Sequence, residues 1–201
     1  MAKGAAGATM YLAADRYGKL GSREVPMANV LDVAETVLKT AGPMDSFRLQ
    51  KLVYYAQAYH LAYQDQPLFT EPIKAWVNGP VVPALYHIHK GQFGVETVDG
   101  DSSKLTPDEA NSVAMVLGIY GRHTSEWLVE QTHMEPPWLE AREGLPPDTK
   151  ASPEIDIAAM KRYYTRILNT PDIGMATLSE RTSRGFTTEE LRERYASTLC
   201  Q

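Results

Sequence analysis

Five histidines, one cysteine and 25 acidic residues are the groups with which this 201-residue chain could run acid–base, metal or nucleophilic chemistry. Their spacing argues against each. His87-Ile88-His89 is the one close histidine pair, and residues two apart on a helix point about 200° away from each other. A shared metal ion needs i, i+4 spacing instead, and no His-Glu-x-x-His run occurs. His60, His123 and His133 stand apart from one another. Cys200, next to the C-terminus, permits neither a disulfide framework nor a cysteine-based zinc site. The chain has no Gly-x-Ser-x-Gly elbow, no phosphate-cradling Gly-x-x-x-x-Gly-Lys loop and no Gly-x-Gly-x-x-Gly turn. The paired carboxylates Asp108-Glu109 and Glu189-Glu190 fall in expected first turns of helices, where they complement the helix dipole. This pattern implies no catalytic residue, no metal and no cofactor.

The chemistry that remains is recognition. Tyr54, Tyr55, Tyr59, His60 and Tyr63 crowd one expected helix, with Gln50, Lys51 and Gln57 among them. With a single buried stripe on that helix, the four tyrosines cannot all be core, so some hydroxyls are expected at polar partners or the surface. Exposed aromatic and arginine side chains dominate protein–protein interfaces. A DNA-binding reading competes with this one. Two helices meet across Gly42-Pro43, and the second opens with Ser46, Arg48, Gln50 and Lys51. The formal charge of −5 and the tyrosines count against it.

These side chains need elements to position them. Val30, Val33, Ala34, Val37 and Leu38 predict a helix that stops at Gly42-Pro43. Asp45 or Ser46 should cap a second helix running to about Tyr63. Residues 73–77 form the best strand candidate, and Asn78-Gly79-Pro80 a turn leading into a helix with Pro80 in its first turn. That helix should end at Gly91, before a loop over residues 91–105. Thr106-Pro107-Asp108-Glu109 is a capping box for a helix closed by Gly121. Thr124 or Ser125 caps a short helix, Pro136-Pro137 starts another, and Ser152-Pro153 opens one carrying Ile155, Met160, Tyr163 and Tyr164. The expected fold is mostly α: a single compact helical domain over residues 27–168, with a short β element. Arms flank it at 1–26 and 169–201, the latter a linker followed by an amphipathic helix at Thr187–Leu199.

With 43% hydrophobic residues the chain can build a core. No stretch approaches the roughly 18–20 apolar residues of a membrane span, and Met1–Ala8 lacks the aliphatic run of a signal peptide. A cytoplasmic protein is expected.

Three runs then carry a family resemblance. Leu49-Gln50-Lys51-Leu52-Val53-Tyr54-Tyr55-Ala56-Gln57-Ala58-Tyr59-His60 is followed by Ala75-Trp76-Val77-Asn78-Gly79-Pro80-Val81-Val82-Pro83-Ala84-Leu85-Tyr86. The third is Thr132-His133-Met134-Glu135-Pro136-Pro137-Trp138. In this order they closely resemble the Panacea, or SocA-like antitoxin, domain. The resemblance implies a helical, non-enzymatic antitoxin that binds a cognate protein toxin. Its alternatives are an adaptor handing the toxin to an ATP-dependent protease and an autoregulator binding DNA. On this resemblance the expected partner-binding residues are Arg48, Lys51, Tyr54, Tyr55, Gln57, His60, Trp76, Asn78 and Tyr86. Gly79, Pro80, Pro83, His133, Glu135, Pro137 and Trp138 are expected to hold the scaffold.

Overall fold

The computed structural model describes residues 28–169, which contain seven α-helices and two two-stranded antiparallel sheets. The terminal arms, including the expected helix at Thr187–Leu199, lie outside the described residues. Helix α1 (Val30–Ala41) begins at Asn29, whose Oδ1 accepts from the Leu31 and Asp32 amides. Asp32 answers by accepting from the Asn29 amide, which completes a capping box. Gly42, at φ +82°, ends the helix and donates back to the Leu38 carbonyl. Strand β1 (Met44–Asp45) pairs with β4 (Gly94–Val95), so the expected 91–105 loop is tied to the start of the next helix.

Helix α2 (Ser46–Gln64) is capped by Asp45, whose Oδ1 accepts from the Arg48 amide. It is buried from Leu49 to Leu61 without a break, and α1, β3 (Gly79–Val81), α4 (Pro107–Tyr120), α5 (Ser125–His133) and α7 (Ile157–Asn169) pack around it. The expectation of one buried stripe is therefore corrected. A helix at the centre of a bundle has no solvent face, and its sequence loses the one-sided pattern of a surface helix. Tyr54, Tyr55 and Tyr59 are all core, and only Tyr63, 55% exposed, reaches solvent.

Pro80 lies in a strand rather than in a helix. Strand β2 (Lys74–Trp76) pairs with β3 in the register Lys74–Val81, Ala75–Pro80 and Trp76–Gly79. The Ala75 amide donates to the Pro153 carbonyl instead of to Pro80, so Ala75–Pro80 is the non-hydrogen-bonded kind of pair. A missing N–H breaks no rung there. Helix α3 (Pro83–His89) starts three residues later, with Pro83 in its first turn. Ile155 also falls outside its expected helix. Residues 153–155 run extended beside β2, with the Ile155 amide on the Ile73 carbonyl. Helix α7 begins after Asp156, whose carboxylate accepts from the Ala158 and Ala159 amides.

The capping box of α4 is formed as the sequence predicts: Thr106 Oγ1 accepts from the Glu109 amide, and Glu109 Oε2 from the Thr106 amide. Thr106→Ala is expected to lower stability by about 1 kcal/mol, read from the urea midpoint at unchanged slope. Thr124 caps α5 and Pro136 opens α6 (Pro136–Ala141). One core joins α1, α2, α4 and α7, and Phe47, Val81, Tyr86 and Val129 form a smaller cluster beneath the hairpin.

Candidate functional site

Two linked features gather the motif residues: a buried tyrosine–glutamate network at the centre and an open cleft beside it. Glu135, between α5 and α6, is 1% exposed. Its Oε2 accepts from the Tyr164 hydroxyl at 2.6 Å. Its Oε1 accepts from the Tyr55 hydroxyl at 3.2 Å and from Gln131 Nε2 at 3.3 Å. A buried carboxylate is tolerable only when hydrogen-bonded in this way. The donors come from α2, α5 and α7, so one side chain ties three helices together. Around it Tyr55 stacks on Tyr120 at 4.0 Å, and the Tyr59 and Tyr120 hydroxyls meet at 3.0 Å. Burial pushes the phenols of Tyr54, Tyr55, Tyr120 and Tyr164 well above their ordinary value, and the Glu135 charge pushes them further in the same direction. They remain protonated across the physiological range.

The cleft lies between the first turns of α2, the β2–β3 hairpin and α3, and encloses about 360 Å³ including its open mouth. Lys51 lines it with no exposed surface of its own, and its Nζ donates to the Pro80 carbonyl at 3.0 Å. Burial lowers the Lys51 ammonium to about 7 although Asp45 pulls the other way. Gln50 fixes the junction of hairpin and α3, with its Oε1 on the Val82 amide at 2.9 Å and its Nε2 3.0 Å from His89 Nε2. Burial depresses His89 to about 4, which keeps the ring neutral at physiological pH. Trp76 and Tyr86 meet edge to face at 4.9 Å and wall one side.

The structure divides the expected partner-binding residues. Lys51, Trp76, Asn78 and Tyr86 line the cleft together. Tyr54, Tyr55, Gln57 and His60 are buried and lie outside the lining of the cleft. Gln57 holds the 68–69 backbone, accepting from the Leu68 and Phe69 amides and donating to the Phe69 carbonyl. His60 Nδ1 sits 2.9 Å from Ser112 Oγ. Arg48 is half-buried and donates through Nη2 to the Gly121 carbonyl.

Among the motif residues, Gly79 takes φ +94° against Lys51, and Pro80 supplies the lysine's acceptor. His133 stacks on Trp138 at 4.2 Å, Pro137 is buried in the first turn of α6, and Trp138 Nε1 donates to the Trp76 carbonyl at 3.0 Å. Gln50, His89 and Arg142 carry contacts that the sequence reading did not assign. Arg142 donates to the Ala75, Pro147 and Thr149 carbonyls and lies over the Trp138 ring, clamping the hairpin from behind. Gln50 sits one turn ahead of Tyr54 in the first motif, a spacing that puts both on one helix face. No sequence signal places His89 or Arg142 beside the hairpin, because both meet it only in the fold.

Residues 49–139 match the family model described as the antitoxin SocA-like Panacea domain. Comparison with curated proteins and with solved structures finds no match. The matched span contains the whole cleft hairpin, Lys51 and Glu135. Tyr164, from α7, lies beyond it and completes the Glu135 network. Among the described residues no helix is long and apolar enough to cross a membrane, and no three His, Cys, Asp or Glu side chains are grouped as metal ligands.

Proposed function

We propose that this chain is the antitoxin of a toxin–antitoxin pair and neutralises a protein toxin by direct binding. The observation that carries the reading is the antitoxin SocA-like family match over residues 49–139. In this reading the Panacea core is a stoichiometric cap that makes and breaks no bond. A rigid support suits that task, since preorganised surfaces lose less entropy on association. The Glu135 network fixes α2, α5 and α7, and Trp138 and Arg142 hold the hairpin, so the cleft rim is presented in one geometry. Trp76 on the rim and Ile88 on α3, 47% exposed, are apolar surface of the kind interfaces use. An interface of about 1,200–2,000 Å² would be ordinary for such a pair.

The test is co-expression with the product of the adjacent reading frame. That product alone is expected to arrest growth. Adding this chain should restore growth and yield a complex that co-purifies. Arrest that persists, or restoration without a complex, would overturn the reading. The toxin's lifetime, measured in the same cells, separates capping from delivery to a protease: it is expected to stay unchanged or lengthen, and shortening would favour the adaptor.

A further inference from the structure

We propose that the cleft is a receptor for a carboxylate, an aspartate or glutamate side chain inserted by a protein partner, with the Lys51 ammonium as its counter-ion. The partner's class rests on the toxin-binding reading above; the chemistry of the cleft does not.

An ammonium has three N–H donors, and Lys51 spends one on the Pro80 carbonyl. Ser46 Oγ, in a residue only 2% exposed, lines the same cleft and has no hydrogen-bond partner. A carboxylate has the lone pairs to accept from both. The walls above are the rings of Trp76 and Tyr86, which suit the methylenes of an acidic side chain and keep water from the ion pair. Size favours the same ligand. The enclosed part has room for about two or three water molecules, close to the bulk of one carboxylate group. Charge favours it over a phosphate. A single ammonium can balance one negative charge at most, and Asp45 nearby makes the second charge of a dianion costlier still.

Asp45 does not already fill this role. Its Oδ1 accepts from the Arg48 amide and its Oδ2 from the Ser125 hydroxyl, so both oxygens serve the start of α2 and α5. The groups facing Lys51 are Asp45 at the start of its own helix, the Pro80 carbonyl from β3, the Thr132 hydroxyl side of α5 next to Gly79, and neutral His89 with Tyr86 from α3. Because burial has lowered the free lysine to about 7, an arriving carboxylate raises it again and binding takes up a proton. The affinity is then greatest between about pH 5, below which the ligand carboxylate takes up its own proton, and about pH 7. It falls by up to about tenfold per pH unit above that, until the lysine of the complex has also lost its proton.

The experiment uses the isotope-labelled full chain and two small probes, N-acetyl-glutamate amide and its glutamine counterpart. Signals of the Trp76 indole and the Val77 and Asn78 amides are followed by NMR. The glutamate probe is expected to shift them saturably at millimolar concentration, and the glutamine probe at least about tenfold more weakly, since it brings no charge. Lys51→Met should abolish the difference. Should that variant fail to fold, Val77→Glu at the turn places a rival carboxylate at the rim and is expected to weaken the glutamate probe about tenfold or more. Equal shifts from both probes, no saturable shift, or unchanged affinity in Val77→Glu would overturn the proposal. Failure here with growth protection intact removes only the carboxylate receptor. Probe binding without growth protection removes only the antitoxin reading.

Discussion

Replacing Glu135 with alanine is expected to lower the unfolding free energy by about 3–5 kcal/mol, seen as a lower urea midpoint at unchanged slope. The carboxylate is the common acceptor for the Tyr55 and Tyr164 hydroxyls and the Gln131 amide, all inside the core. Truncation leaves these donors without their acceptor, and each stranded donor costs about 1–3 kcal/mol. A void adds to the loss, because α2, α5 and α7 meet at this point and cannot close it freely. Glu135→Gln preserves volume but turns one acceptor oxygen into a donor facing hydroxyls, so an intermediate loss is expected. Tyr164→Phe removes the 2.6 Å bond to Glu135 and the longer 3.4 Å contact with the Tyr54 hydroxyl while leaving the carboxylate in place, and should cost the least of the three. A loss below about 1 kcal/mol for Glu135→Ala would mean that the network is incidental to stability.

Gly79→Ala is expected to cost about 2–4 kcal/mol and to abolish both the cleft and the proposed partner binding. Gly79 holds φ +94°, where a residue with a Cβ is strained. That Cβ would stand 2.7 Å from Lys51 Cε and 2.9 Å from Thr132 Oγ1. A lysine tip on the surface would swing aside at little cost. Lys51 is fully buried and anchored to Pro80, so relief requires moving the hairpin off α2. Gly94→Ala is the matched control: a Cβ there meets open space, and stability should change by less than about 0.5 kcal/mol. Thermal melts of the two variants, with the Trp76 indole signal as the reporter of hairpin position, give the comparison. A Gly79→Ala protein as stable as the Gly94→Ala control would show that the hairpin yields freely and that the cleft geometry is not fixed by this contact.

What the sequence determined by itself was local. Asn78-Gly79-Pro80 marks a chain reversal, though not the strand that follows it, Thr106 to Glu109 the start of α4, Asp45 or Ser46 and Thr124 or Ser125 the starts of α2 and α5, and Gly42 the end of α1. Each of these signals acts through hydrogen bonds or steric limits within four residues, so the chain need not be folded for them to be read. The three motifs likewise carried the resemblance to the antitoxin SocA-like family model from residue order alone.

The tertiary structure decided which of those residues face inward. Gln50, Lys51, Gln57 and His60 look like a polar helix face, and only the encircling helices turn that face into core. Pro80 and Ile155 left their expected helices because distant backbone, at residues 153–155, pairs with β2. Glu135 became an acceptor for hydroxyls 80 and 29 positions away in the chain. Burial, and the altered protonation of Lys51 and His89 that follows from it, depends on what packs from elsewhere. No stretch of sequence carries that information, since desolvation is a property of the surroundings and not of the residue.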